Sequence, residues 1–439
     1  MSLLTETTHT EGRHESALLP LSLAGAAPER FYFRAVDDML FVFDTDTQTA
    51  RALNAAAARL FLNLPEDFTE VTTLARGAPV EDEAIWADCL AQWEGYGWIE
   101  RDAAGRVRLR LRAPRSAPPP AARRPESSTE GRLVNECQLL LSGRCVVIRL
   151  FVSDPPWSDE MAARITLCQR MFGFFSGFGD SAPERHAPLA TFDLIVAPEG
   201  CTLRHGAREV FGEAMPLLLG KLHHWLLDLV YCKPPPAIFV HGAALATADG
   251  TLVLAGVSGA GKSTASAYLV AQGWRFGTDD SIAIGFAGAE AVVLPYPGAI
   301  SLKPGSFTVL APHYPQLGTL PLIGGGNRRG CYVPVPRHLQ IDPDGPESRV
   351  RGFVFPRFKA GSPLRVEPVS IARAVLELME AEFDFAESAG AAELDAFFDT
   401  LERLPRHAIF YGDLAELEMA LRRLAESEPE PGRGRDLTI

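Results

Sequence analysis

The sequence reads GVSGAGKST over residues 256–264 and matches the pattern G-x-x-x-x-G-K-[ST] at every fixed position. The apolar run at 251–255 before it predicts a buried strand. The run at 263–272 after it predicts a helix that ends at Gly273. In this order of strand, glycine-rich turn and helix, backbone N–H groups and the helix N-terminus converge on one anion. The sequence therefore predicts a nucleotide-binding α/β fold.

The same stretch predicts which residues meet the nucleotide. Lys262 can reach the β- and γ-phosphates, and the Ser263 hydroxyl can ligand Mg²⁺. A second glycine-rich segment, GGGNRRG at 324–330, could close over the phosphates and supply positive charge, or it could be a flexible solvated loop. The predicted nucleotide-binding residues are Gly256, Ser258, Gly259, Ala260, Gly261, Lys262, Ser263, Thr264, Arg328 and Arg329.

Two adjacent carboxylates, Asp279 and Asp280, follow Lys262 after one helix and one short strand. Successive residues on a strand point to opposite sides, so the two should have different tasks. One can hold Mg²⁺, and the other can accept the proton of a hydroxyl group during phosphoryl transfer. The alternative is an aspartate pair that only caps a turn.

His241 follows the apolar run 238–240 at the end of another predicted strand. A histidine in that position can steer the pKa of a carboxylate or contact phosphate. The alternative is a structural histidine in a turn with Gly242. The residue chemistry alone leaves both interpretations open.

Residues 29–112 show the pattern of a small winged-helix-like module. Asp37-Asp38 is expected to form a turn, and Asn54 is expected to cap the first helix. The expected elements are strands at 31–34 and 40–44, helices at 55–62, 68–76 and 81–96, and a closing hairpin that ends at 107–111.

The remaining composition predicts further boundaries. Residues 1–28 and 429–439 are predicted to be flexible tails, and the Pro/Arg-rich stretch 113–130 is predicted to be a linker. Residues 131–235 are expected to form a β-rich extension, with strands at 137–141, 145–152 and 192–196 and a helix at 214–231. Residues 236–428 are expected to form the catalytic core, ending in a helix at 413–426 whose N-cap is Asp413.

Composition limits the classes of partner. The chain has 439 residues, is 47% hydrophobic and carries a formal net charge of −13. The composition is that of a globular protein, and the acidic balance argues against nucleic acid or an anionic membrane surface as a partner. Seven cysteines without a Cys-x-x-Cys pair indicate neither a zinc site nor a disulfide framework, so we expect a cytoplasmic protein.

The series His241-Gly242, then 256–263, then Asp279-Asp280 resembles the HPr kinase/phosphorylase family, whose catalytic domain is similar to phosphoenolpyruvate carboxykinase. The likeness extends more loosely to 295–297, 300–303, 352–356 and 407–412. It implies ATP and Mg²⁺ as cofactors, with Asp279 as catalytic base, Lys262 on phosphate, Asp280 and Ser263 serving Mg²⁺, and His241 tuning Asp279. The resemblance also allows a homo-oligomer.

The sequence departs from this family in several places. Thr264 stands where HPr kinases usually have a glutamate, and Lys303 stands near the expected place of an arginine, at a different offset. These departures leave open whether HPr is the acceptor and whether a reverse phosphorylase reaction exists.

The N-terminal module resembles the PqqD-like domain, a peptide-recognition element of pathways that modify ribosomally made peptides. The likeness is carried by Leu53-Asn54-Ala55, Ala58, Leu60 and the helix end at 93–99. It implies a precursor peptide as partner, its leader bound by residues 29–112 through addition to a strand edge at 31–34 or 40–44. The alternative is a module that only packs on the kinase.

Together these features predict an ATP- and Mg²⁺-dependent kinase for a Ser or Thr hydroxyl of a peptide or protein. Its expected role is to tailor a ribosomally synthesised peptide recruited through the leader. One alternative is a kinase for a small-molecule hydroxyl. The other is a nucleotide-gated binding or scaffold protein with little turnover.

Overall fold

The computed structural model describes most of the chain between residues 30 and 427. The described residues are 30–44, 47, 49–65, 67–74, 83–110, 131–141, 144–153, 155–175, 188–212, 215–231, 234–257, 259–296, 298–323, 329–381, 383–386 and 389–427. The chain divides into two compact units, Met1–Pro114 and Arg115–Ile439. The predicted tails and the predicted linker lie outside the described residues.

The N-terminal unit is a small α/β module. Its elements are β1 (Phe31–Val36), β2 (Met39–Asp44), β3 (Thr49–Leu53), α1 (Ala55–Leu62), α2 (Val71–Leu74), α3 (Glu83–Gly95), β4 (Ile99–Arg101) and β5 (Val107–Leu109). The first three strands form an antiparallel sheet in the order β1-β2-β3, and β4 pairs with β5. The N-cap prediction is confirmed, because the Asn54 side chain accepts a hydrogen bond from the Ala57 amide.

The structure corrects the predicted module in three ways. The third strand, β3, was missed, because its short Thr-Ala-Arg-Ala run is only half-buried and lacks the apolar alternation of a strand. Since β2 pairs on both sides, the prediction that residues 40–44 offer a free edge is wrong. The helix expected at 68–76 is reduced, in the described residues, to the four residues of α2.

A buried ion pair and an aromatic cluster hold this unit together. Arg30 donates to both carboxylate oxygens of Asp44 at 2.9 and 2.5 Å, and its other nitrogen reaches the carbonyl oxygens of Gly97 and Arg110. Burial would raise the pKa of Asp44, but the hydrogen bonds from Arg30 outweigh that effect and hold it below its usual value. The strand ends are thereby tied to the end of α3.

The second unit begins with a five-stranded sheet and two helices. Its elements are β6 (Arg132–Leu141), β7 (Arg144–Val152), α4 (Asp159–Phe175), β8 (Ala190–Ala197), β9 (Gly200–His205), β10 (Arg208–Gly212) and α5 (Met215–Val230). The strand order is β10-β9-β8-β7-β6, and only β7 and β8 run parallel. This part is therefore a mixed α/β layer, with more helix than the β-rich extension predicted.

The helix α4 was missed by the sequence analysis although its sequence carries a helical pattern. Met161, Ile165, Cys168 and Phe172 recur at the spacing of one helix face, and all four are buried against the sheet. The same apolar cluster includes Leu222 of α5 and reaches Tyr296 of the following core. The extension and the core therefore share one hydrophobic interior.

The rest of the second unit is built on a nine-stranded mixed sheet. Its elements are β11 (Ile238–Thr247), β12 (Gly250–Ala255), α6 (Lys262–Ala271), β13 (Arg275–Thr278), β14 (Ser281–Ala287), β15 (Glu290–Leu294), β16 (Ile300–Leu302), α7 (Phe307–Leu310), β17 (Cys331–Val333), β18 (Val350–Phe358), β19 (Arg365–Pro368), α8 (Ile371–Glu380), β20 (Asp384–Phe385), α9 (Ala391–Arg403), β21 (Arg406–Tyr411) and α10 (Leu414–Glu426). The main order is β15-β14-β11-β12-β18-β21-β19, with β13 and β20 also paired to β11, while β16 and β17 form a separate pair.

Most strands of this sheet are antiparallel, but β12, β18 and β21 run parallel. Helices α6 and α10 share one buried apolar cluster with β12, which includes Leu269, Leu421, Leu252 and Leu254. Asp413 caps α10 as predicted, accepting hydrogen bonds from the amides of Ala415 and Glu416. Among the helices in the described part of the chain, none combines the length and the apolar character needed to cross a membrane.

Candidate active site

The glycine-rich loop lies between β12 and α6, as the sequence predicted for its flanking strand and helix. Gly259 and Gly261 have φ angles of 91° and 90°, a backbone conformation that side-chain-bearing residues rarely adopt. The Lys262 ammonium is buried over the loop and donates to the carbonyl oxygens of Gly256 at 2.6 Å and Val257 at 3.3 Å. The predicted loop residue Ser258 lies outside the described residues.

Asp279 follows β13 and is buried beside the first turn of α6. Ser266 donates to its Oδ1 at 2.9 Å, and the Ser263 hydroxyl also hydrogen-bonds to the carboxylate. Burial raises the pKa of Asp279 to about 7, although these two hydrogen bonds act to lower it. Among the described residues, no donor reaches its buried Oδ2. That oxygen can coordinate a cation or accept a hydrogen bond from a ligand.

Asp280 has the opposite environment, because its side chain is 69% exposed. The Nδ1 atom of His241 lies 3.5 Å from Oδ1 of Asp280, so the His241 side chain contacts Asp280. Antiparallel pairing of β11 with β14 sets this contact, since His241 is opposite Ser281. The Gly242 amide donates to the Asp280 carbonyl at 3.0 Å, which holds the two segments together.

Gly242 could not carry a side chain in this position. A Cβ atom there would lie 2.4 Å from the carbonyl oxygen of Leu254 on the neighbouring strand. The His241-Gly242 dipeptide thus combines a side chain aimed at Asp280 with a backbone that fits against β12. This argues against His241 as an ordinary turn residue.

The oxygen atoms around Asp279 fit a magnesium ion. The Ser263 hydroxyl and the free Oδ2 of Asp279 are hard oxygen ligands, which Mg²⁺ prefers together with phosphate oxygens and water. Within the described ranges, no group of three or more His, Cys, Asp or Glu side chains is placed to hold a metal alone. Phosphate oxygens would therefore have to complete the coordination shell.

Ser266 is a site residue that the sequence analysis missed. Its Oγ atom lies 2.9 Å from both Asp279 Oδ1 and the Lys262 carbonyl oxygen, so its single hydroxyl hydrogen is shared between these two acceptors. Its spacing from Lys262 and Ser263 was a usable signal, since residues three and four apart share one face of a helix.

One cavity of about 890 Å³ joins these groups to the two helices of the extension. Its first end is formed by the loop, the aspartate pair and His241, and includes the predicted residues Gly259, Gly261, Lys262, Ser263 and Thr264. Its other end is formed by α4 and α5, which the sequence analysis did not connect with the site. The volume is in the range of pockets that bind small molecules.

The predicted arginine loop is only partly described. Arg328 lies outside the described residues, and Arg329 is exposed. Backbone hydrogen bonds of 2.8 and 3.0 Å between Ile323 and Gly330 close the base of this segment. Gly330 lies against the Leu302 carbonyl, next to Lys303, and Lys303 lines the cavity. The base of the segment is therefore at the rim of the site.

Among known proteins, the chain has likenesses only to solved structures. No family model and no curated protein matches the sequence. A solved structure that matches is the Hpr(Ser) kinase/phosphatase from Coxiella burnetii, at 13% sequence identity. The match covers 42% of this chain and 96% of that chain, with a TM-score of 0.21. A TM-score this low assigns the chain neither to a family nor to an activity.

Proposed function

We propose that the chain is a phosphotransferase that uses ATP and Mg²⁺ to phosphorylate a hydroxyl group. The observation that carries the proposal is the buried Asp279 carboxylate. It is hydrogen-bonded to Ser263 at the end of the glycine-rich loop, and its second oxygen has no hydrogen-bond partner in the described residues. A buried oxygen left open beside a phosphate-type loop is what a metal-bound nucleotide requires.

The residues divide into a donor side and an acceptor side. Lys262 and the loop amides would hold the phosphates, and Ser263 with Asp279 would hold Mg²⁺, which neutralises phosphate charge when bound. Asp280, exposed to the cavity and beside His241, would accept the acceptor's proton. The oxygen of the acceptor then bonds to the γ-phosphorus, the bond to the β-phosphate oxygen breaks, and ADP leaves.

This assignment exchanges the roles that the family resemblance implies for the two aspartates. The Oδ2 atom of Asp279 is buried, so it suits a metal ion better than a bulky acceptor. Both carboxylates line the cavity, but Asp280 is the exposed one, and His241 lies beside it.

Lys262→Ala is the first test of the proposal. We expect the dissociation constant of Mg²⁺–ATP to rise at least about tenfold, because the buried ammonium donates directly to the loop carbonyls of Gly256 and Val257 beside the expected phosphate site. Isothermal titration calorimetry measures this change. Lys221→Ala on α5 is the matched control and should bind like the wild type. Equal affinity of all three proteins would contradict the proposal.

We further propose that the acceptor is carried on a precursor peptide whose leader is bound by the N-terminal unit. Two features support this: the PqqD-like resemblance, and a three-stranded sheet in which β1 and β3 are the outer strands. An extended peptide can add to such an edge through main-chain hydrogen bonds. Tethering by the leader would raise the effective concentration of the acceptor segment.

Removing residues 1–112 tests the recruitment proposal. We expect KM for a leader-bearing precursor peptide to rise at least about tenfold with kcat unchanged, because only the tether is lost. Intact-mass spectrometry after incubation with Mg²⁺ and ATP gives the rate of phosphate addition. The leaderless peptide is the control, since both proteins should phosphorylate it equally. An unchanged KM for the leader-bearing peptide would refute recruitment by this unit.

A further inference from the structure

We call the part of the cavity beyond Asp280 the acceptor chamber. Its lining includes Arg170 and Phe175 of α4, Gly220 and His223 of α5, Tyr296 and Tyr332 of the core, and Asp384 of β20. The chamber is continuous with the loop and the aspartate pair, so a ligand in it would lie directly beside the proposed transfer site.

The chamber walls are mainly flat and uncharged. The rings of Phe175 and Tyr296 are 6.1 Å apart, and the ring of His223 meets that of Tyr296 at 4.5 Å. Burial lowers the pKa of His223 to about 3, so its imidazole is neutral at physiological pH. Neutral aromatic surfaces of this kind favour an apolar or aromatic ligand over a charged one.

Gly220 opens the chamber from the middle of α5. Gly220 is exposed and lines the cavity, and a Cβ atom at this position would meet nothing within 4 Å, so an added side chain would have open space beside the cavity. A glycine inside a helix is less favourable than an alanine. That cost has no packing reason here, because no neighbouring atom occupies the space of the missing side chain.

A few polar groups stand at the transfer end of the chamber. Arg170 donates to the Tyr332 hydroxyl at 3.3 Å, and Tyr332 also hydrogen-bonds to Ser301. Gly173 of α4 permits this arrangement, because a Cβ there would be 2.6 Å from the Tyr332 ring. Tyr332, Ser301 and the proposed base Asp280 line the same cavity. Apolar walls with a few convergent polar groups are typical of small-ligand sites.

We propose that the acceptor chamber binds a hydroxyl compound whose body is apolar or aromatic, and that this body is enclosed during transfer. The proposal rests on the phosphotransferase function above and names its acceptor class. The compound can be a free alcohol or an apolar segment of an unfolded peptide, because the chamber recognises the same chemistry in both. The acceptor proton goes to Asp280, and ATP supplies the phosphoryl group.

Direct binding measurements test this assignment without requiring turnover. The full chain is saturated with Mg²⁺ and a non-hydrolysable ATP analogue, and calorimetry measures binding of three probes. These are 2-phenylethanol, N-acetyl-Phe-Ser-Phe-amide and N-acetyl-Asp-Ser-Asp-amide. We expect at least one apolar probe to bind at least about tenfold more tightly than the acidic peptide. Binding of the alcohol alone would identify a free small molecule as acceptor, and binding of the tripeptide would identify a peptide.

Gly220→Trp fills the chamber and supplies the decisive variant. It should weaken binding of the apolar probes at least about tenfold while the affinity for the nucleotide analogue changes less than about twofold. Gly220→Leu should give a smaller loss. The control is Gly318→Trp, an exposed glycine with equally open space outside the cavity, which should behave as wild type.

The outcomes separate this inference from the proposed function. The chamber assignment would be overturned if the apolar probes bound Gly220→Trp as tightly as the wild type. It would also be overturned if no apolar probe bound more tightly than the acidic peptide. Transfer of ³²P from γ-labelled ATP to the probes is measured separately. Binding that depends on Gly220 without any transfer would uphold the chamber and refute the phosphotransferase.

Discussion

Asp280→Asn is expected to lower the rate of phosphoryl transfer by about 10²–10⁴-fold, the usual contribution of a positioned general base. The affinity for Mg²⁺–ATP should stay within about twofold of the wild type, because the Asp280 side chain is exposed to the cavity and the Ser263 contact belongs to Asp279. Single-turnover phosphate transfer and calorimetry measure the two quantities on the same protein.

Asp279→Asn is the matched comparison and should show a different pattern. Loss of the buried carboxylate removes a metal ligand, so we expect Mg²⁺-dependent nucleotide affinity to fall at least about tenfold. Nucleotide binding without Mg²⁺ should change little. If instead Asp279→Asn binds Mg²⁺–ATP normally and loses only transfer, while Asp280→Asn loses the metal, then Asp279 is the base and our assignment is wrong.

The donor side of the site could be predicted because its signals are local. The glycine-rich loop, its strand and its helix lie within one continuous stretch, and the structure has β12 and α6 where the pattern placed them. The different environments of Asp279 and Asp280 also followed from the alternation of side chains along an extended chain. Such inferences need no knowledge of which distant segments meet.

The acceptor side could not be predicted because it depends on long-range pairing. The contact between His241 and Asp280 exists because β11 pairs with β14, and no local pattern specifies that partner. The chamber depends on α4 and α5 packing beside the core through one shared apolar cluster. In the sequence, Gly220 is only a residue that lowers the stability of an apolar helix. The open space beside it is visible only in the structure.

The stability of the second unit should depend on pH through Asp279, and in the direction opposite to that of an ordinary ion-paired carboxylate. Its pKa is raised from 3.8 to about 7, so between these pH values the folded protein keeps a proton that the unfolded chain has lost. The contribution of this group to the free energy of unfolding is therefore largest below about pH 4 and declines as pH rises to about 7. A shift of this size corresponds to about 2–4 kcal/mol.

Urea unfolding of the wild type and Asp279→Asn, followed by circular dichroism at several pH values from 4.5 to 8, isolates this contribution. The stability of the wild type relative to the variant should fall across that range and level off above about pH 7. Ser266→Ala removes a hydrogen bond that lowers the pKa of Asp279. The stability of this variant should therefore continue to fall to a higher pH than that of the wild type. A difference between wild type and Asp279→Asn that is constant with pH would mean that the carboxylate stays ionised in the folded protein. That result would contradict the raised pKa of Asp279 and the strong desolvation that the buried position of its carboxylate implies.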